Sequence, residues 1–148
     1  MAYEEQRAWI MLVVAVAAYV VYLVVVLGRL DGGALSQVDY VGPLLWSIGV
    51  AILAGIVGGI VAGIVSGIAS GNPKESPRRD ERDREINRLG EYIGQSFVVI
   101  GGVSALLMAM LEVGYFWIAN TVYLCFVLSA VLGSVAKIFA YRRGFQTW

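Results

Sequence analysis

The sequence predicts an all-α integral membrane protein: a four-helix bundle with both termini cytoplasmic and a glycine-zipper second helix. Three observations predict it. The apolar residues fall into four long windows almost free of charge. The second window repeats glycine every four residues. The Lys and Arg residues gather on one side of the alternating connections. The chain is 59% hydrophobic, only 15% charged, and has a mean hydropathy of +0.75. A water-soluble domain of 148 residues is usually less apolar and more evenly charged.

Residues 1–8 are polar, with Glu4, Glu5 and Arg7. Residues 9–28 form the first expected span. Twenty residues at a 1.5 Å rise cover about 30 Å, the thickness of the hydrocarbon layer. No small-residue cleavage site closes this run, so it reads as a retained helix and not as a signal peptide. Residues 29–42 form a loop broken by Gly32–Gly33, and they carry Asp31 and Asp39. Pro43 suits a helix's first turn, where its missing N–H is harmless. The second span is expected over 43–70, with Gly71, Asn72 and Pro73 as its stop signal.

This second helix contains GIVGGIVAGIVSGIASG. Gly55, Gly59, Gly63, Gly67 and Gly71 form one row, and Ala54, Gly58, Ala62, Ser66 and Ser70 form another beside it. Residues four apart share a helical face. One side is therefore smooth and the other is branched with Ile and Val. Small-residue faces let helices approach closely in lipid. The face either packs within its own bundle or joins copies into a homo-oligomer.

Residues 71–92 read as a charged cytoplasmic loop, in which Ser76–Pro77 opens a short amphipathic helix. Arg79–Asp83 and Asp80–Arg84 are opposite charges four apart, a helix-stabilising spacing. Ile86, Leu89 and Ile93 share an apolar stripe, and the helix is expected to bend at Gly90 or Gly94 or to continue. The candidate docking surface for a cytoplasmic protein or for lipid head groups is Arg79, Asp80, Arg82, Asp83, Arg84 and Arg88. The third span is expected over 93–111, a tight turn over 112–115, and the fourth span over 116–140. A tail with Arg142, Arg143, Phe145 and Trp148 provides an interfacial anchor. The whole of 1–148 forms one membrane domain.

Orientation follows from the cations. Ten of the eleven Lys and Arg residues lie at the two ends and in 71–92, against Arg29 alone in the other connections. The positive-inside rule then puts both termini in the cytoplasm of a cell bounded by its inner, or plasma, membrane.

The chemistry-bearing inventory is thin. There is no His, and Cys125 is the single Cys, so serine and cysteine nucleophiles lack their usual partners. The acids of 80–85 lack EF-hand spacing, and the glycines of the second helix lack a phosphate-loop ending. The arginine-rich segment is balanced by acids, which argues against nucleic acid. The sequence therefore predicts no enzyme, no cofactor and no resident metal. Asn120 is a candidate inter-helix hydrogen-bonding residue, Lys137 an interfacial anchor, and Asp31, Asp39 and Glu112 a possible cation site.

The motif Asp80–Glu81–Arg82–Asp83–Arg84–Glu85–Ile86, then Gly90 and Gly94, then Phe116–Trp117–Ile118–Ala119–Asn120, Lys137 and Tyr141–Arg142–Arg143–Gly144–Phe145, resembles a family of small prokaryotic four-helix membrane proteins of unknown function. The resemblance covers residues 78–145 and implies the four-helix architecture and a role for the charged loop. It implies no activity, and the glycine ladder falls outside it. The expected function is an assembly or regulatory component working through helix packing, membrane lipids and a cytoplasmic partner. The alternative is a small oligomeric channel or transporter.

Overall fold

The computed structural model describes residues 3–30, 32–70 and 77–144. Four helices, α1 (Tyr3–Gly28), α2 (Val41–Ser70), α3 (Pro77–Met110) and α4 (Tyr115–Arg143), carry nearly all of it. Each is long and apolar enough to cross a membrane. These are the proportions of a membrane protein, in which backbone groups pair within the helix because lipid offers them no partner.

The helix ends follow local chemistry. Glu4 and Glu5 occupy the first turn of α1, and Arg142 and Arg143 the last turn of α4, each matching the helix dipole. Pro43 lies in the first turn of α2, and Pro77 is the first residue of α3, positions that need no N–H partner. Between α1 and α2 a single 3-10 turn, Leu35–Gln37, carries Leu35 onto the core.

The segment expected as a charged loop over 71–92 is helical from Pro77 onward, and α3 runs through Gly90 and Gly94 as one 34-residue helix. Packing explains the absence of a bend. Gly90 lies against Gly133 of α4, where an added methyl would stand 2.8 Å from the Gly133 carbonyl oxygen. The same addition at Gly94 would stand 3.1 Å from the Ser129 carbonyl oxygen, and at Gly101 2.6 Å from the Cys125 Cβ. These glycines serve close approach, not bending. The stop signal at 71–73 and the Ser76 cap lie outside the described residues, as do Asp31, Phe145 and Trp148.

Packing has a simple order: α2 lies on α1, α1 on α4, and α3 on α4, the last pair being the most extensive. The small side of α2 faces α1. Gly58 is crossed by Ile10, Gly55 lies 3.2 Å (from an added methyl) from the Met11 sulfur, Gly63 lies beside the Tyr3 ring, and Ala62 is buried. Tyr3 also donates to the Gly59 carbonyl at 3.3 Å, and the Ser66 hydroxyl donates to Gln6 Oε1 at 3.2 Å. Ile52, Ile56, Ile60 and Ile64 on the opposite side are each more than half exposed, as a lipid-facing surface requires.

α3 ends in a Schellman arrangement: Val113 N–H donates to Met108 O at 2.9 Å and Glu112 N–H to Ala109 O at 3.1 Å. Glu112 takes the left-handed position, with φ of 54°, which glycine usually fills. Glu112→Gly is therefore expected to raise unfolding free energy by about 1 kcal/mol, the left-handed penalty of a side chain. Chemical unfolding in mixed micelles would measure it. The same assay ranks the glycines: Gly133→Leu should cost more than about 2 kcal/mol through overpacking, whereas Gly67→Leu, which meets open space, should cost far less.

Candidate functional site

The start of α1, the end of α2, the start of α3 and the end of α4 share one end of the bundle, the charged end. Glu5 and Arg142 join there at 3.6 Å, and the Arg142 guanidinium stands 5.6 Å from the Trp9 ring centre. α1 and α3 both pack on α4, and between them a cleft of about 510 Å³ opens at this end. α1 contributes Glu4, Arg7 and Met11; α3 contributes Asn87, Glu91, Gln95 and Val98; α4 contributes Ser129, Ser134 and Lys137. Gly90, Gly94 and Gly133 line it too, so part of its wall is bare backbone.

Lys137 does not extend straight outward as a simple anchor. Its stem crosses Gly90, and its ammonium donates to Asn87 Oδ1. The Asn87 amide donates in turn to Glu91 Oε1 at 3.2 Å. Asn87 thus sits between a cation on α4 and an anion on α3. Glu4 and Arg7 of α1 are further electrostatic neighbours of Lys137. The cleft presents two acids and two bases in one half-enclosed space. Sequence reading saw Lys137 only as an anchor. The usable signal was spacing: Gly90 with Gly94, Asn87 with Glu91, and Gly133 with Lys137 are each four apart, on faces that meet.

Above the cleft the first turns of α3 form a charged ridge. Arg82, Arg84 and Arg88 are exposed, as are Glu81 and Glu85. Asp83 is half-buried and turns toward Tyr141 of α4. Ile86 is completely buried and Leu89 half-buried, fastening the ridge to the bundle. Arg79 and Asp80 belong to α3, but their side chains lie outside the described set.

The opposite, aromatic end holds the densest core. Tyr22, Val26, Phe116 and Tyr123 are buried together, flanked by Tyr19 and Tyr40. Tyr22 and Tyr123 meet edge to face at 5.1 Å, as do Tyr40 and Phe116 at 5.2 Å. The Tyr22 and Tyr123 hydroxyls are paired. The Tyr22 hydroxyl donates to Asn120 Oδ1 at 2.6 Å, and the Asn120 amide donates to Phe116 O at 2.8 Å. Ser47 Oγ donates to Ala18 O at 3.0 Å and stands 2.5 Å from the Tyr123 hydroxyl. Asn120 thus links α4 to α1, and Ser47 links α2 to both.

The proposed acidic cation set divides as follows. Asp39 lies with Arg29, whose guanidinium donates to the Asp39 carbonyl oxygen at 3.2 Å and stands 3.9 Å from its carboxylate. Glu112 occupies the α3–α4 turn, and Asp31 is outside the described residues. Among the described residues no three His, Cys, Asp or Glu side chains group closely enough to hold a metal ion.

Comparison with protein-family models, characterised proteins and solved structures finds no match. The site's own geometry is therefore the ground for a functional reading.

The buried polar pairs give a direct test. Tyr22→Phe and Asn120→Leu should each cost about 1 kcal/mol, and the double variant clearly less than the sum, because one bond is lost in both. A double-variant cycle of unfolding in micelles reads this coupling.

Proposed function

We propose that this chain is a non-enzymatic assembly or regulatory component of a prokaryotic plasma membrane, with both termini cytoplasmic and the charged ridge of α3 as its docking element. The observation that carries this reading is the length of α3. Its 34 residues extend about 51 Å, roughly 20 Å more than the hydrocarbon layer needs. The surplus is the segment rich in Arg, Asp and Glu. Its inner face is pinned by Ile86, and its outer face leaves Arg82, Arg84 and Arg88 exposed. A rigid, two-signed ridge held at a fixed height above a membrane suits recognition of a protein with a matching charge pattern. The bias of cations toward this end supports its cytoplasmic placement.

The same reading includes self-association through α2. Gly59 and Gly67 have open space where a side chain would stand, so a glycine-zipper contact with a second copy could form there without displacing α1.

Two measurements test the proposal. A reporter active only outside the cytoplasm, fused after Trp148, should stay silent; an active reporter would overturn the orientation. A photocrosslinker at position 84 or 88 should give a discrete protein adduct in cells. A crosslinker at the lipid-facing positions 60 or 103 should give none. Arg82→Glu with Arg88→Glu should remove the adduct while membrane insertion is unchanged. A ridge that yields no adduct has no docking role.

A further inference from the structure

We propose that the cleft at the charged end binds one phospholipid whose head group carries a primary ammonium beside its phosphodiester. The inference needs only that the chain spans a bilayer. It is independent of the docking role proposed for α3.

Charge balance comes first. Lys137 and Arg7 offer cations, and Glu91 and Glu4 offer carboxylates, around one space of about 510 Å³. A bare anion would meet the two acids, and a bare cation the two bases. A ligand bearing both signs meets both sets favourably. Asn87 makes this possible. It accepts from Lys137 and donates to Glu91, so the two charges are bridged by a neutral amide and not collapsed into a direct ion pair. Both remain able to form charge-assisted hydrogen bonds to a ligand.

The kind of cation is constrained as well. Quaternary ammonium groups are usually held by aromatic faces. Among the described residues no aromatic side chain lines this cleft, whose anionic partners are carboxylates. Carboxylates accept hydrogen bonds, and a primary ammonium has three to give.

Position identifies the ligand as a lipid and not a soluble zwitterion. The cleft lies where the charged turns of α3 pass into its apolar span. Its deeper wall is Met11, Val98 and Ala130, on helices whose outer faces are exposed and apolar. The phosphodiester would sit at Lys137 and the ammonium at Glu91 and Glu4. An acyl chain would then descend past Met11 and Val98.

Native mass spectrometry of the full chain in detergent micelles tests this with phosphatidylethanolamine, phosphatidylcholine and phosphatidylglycerol of identical acyl chains. The wild type should retain one phosphatidylethanolamine per chain about tenfold more strongly than phosphatidylcholine, the worth of one charge-assisted hydrogen bond. Glu91→Gln, an exposed position whose change should not disturb folding, should bring phosphatidylethanolamine down to the phosphatidylcholine level. Lys137→Gln should weaken both lipids together. Arg29→Gln, at the other end of the bundle, should change neither. Equal retention of the three lipids by the wild type would overturn the proposal. So would tightest retention of phosphatidylglycerol, or a preference that survives both Glu91→Gln and Lys137→Gln. Equally tight binding of glycerophosphoethanolamine, which lacks acyl chains, would overturn the lipid as occupant.

Discussion

The close approach of α3 to α4 is the contact on which the rest depends. In lipid there is little hydrophobic gain in bringing two helices together, so dispersion and a few polar bonds must do it. Dispersion falls steeply with distance, and only residues without side chains allow backbones to touch. Gly90 and Gly133 provide that touch, with Gly94 on Ser129 and Gly101 on Cys125 continuing it along the helix pair. This seam runs along the continuous α3 from its charged turns into its apolar span. It also sets one wall of the cleft, because Lys137 crosses the gap that Gly90 leaves.

The two ends of the bundle solve different problems. At the aromatic end four polar side chains are satisfied by one another and by backbone carbonyls. Tyr22, Asn120, Ser47 and Tyr123 form bonds that join three helices, and the rings fill the space between them. Such buried polar pairs specify how the helices meet. At the charged end the pairing among the described residues is looser. Glu5 is paired with Arg142, but Lys137 and Glu91 meet only through an intervening amide. That difference is why the functional readings concentrate at one end.

Much of this was legible in sequence because composition and periodicity record the solvent directly. Four apolar windows mean four helices in lipid, and Pro43 and Pro77 mark helix starts through backbone chemistry alone. The faces of α2 were legible too, because Gly and Ile rows four apart must lie on different sides. Three things were not legible. Bend and continuation at Gly90 and Gly94 both stayed open, because the outcome depends on what stands opposite each glycine. The cleft depends on four side chains from three helices, separated by as many as 133 positions between Glu4 and Lys137. Nothing local in the sequence announces such a meeting. Glu112 in a left-handed turn was hidden for the opposite reason, since a charged residue is the less usual occupant of that position.

The packing order has a consequence for how the chain is made. α1 with α2 and α3 with α4 are hairpins of neighbours, and α1 against α4 is the main contact between distant parts, with Ser47 of α2 on Tyr123 of α4 beside it. Formed first, the α1–α2 hairpin has the α1 face that meets α4 still uncovered. The Tyr22 hydroxyl has no Asn120 to accept its hydrogen. Unpaired polar groups in lipid are costly, so this early hairpin is a strained guest until the last helix arrives. The second hairpin carries its own glycine seam and can close as it emerges. In the folded chain the last turn of α4 is fastened to the first turn of α1 through Arg142 and Glu5.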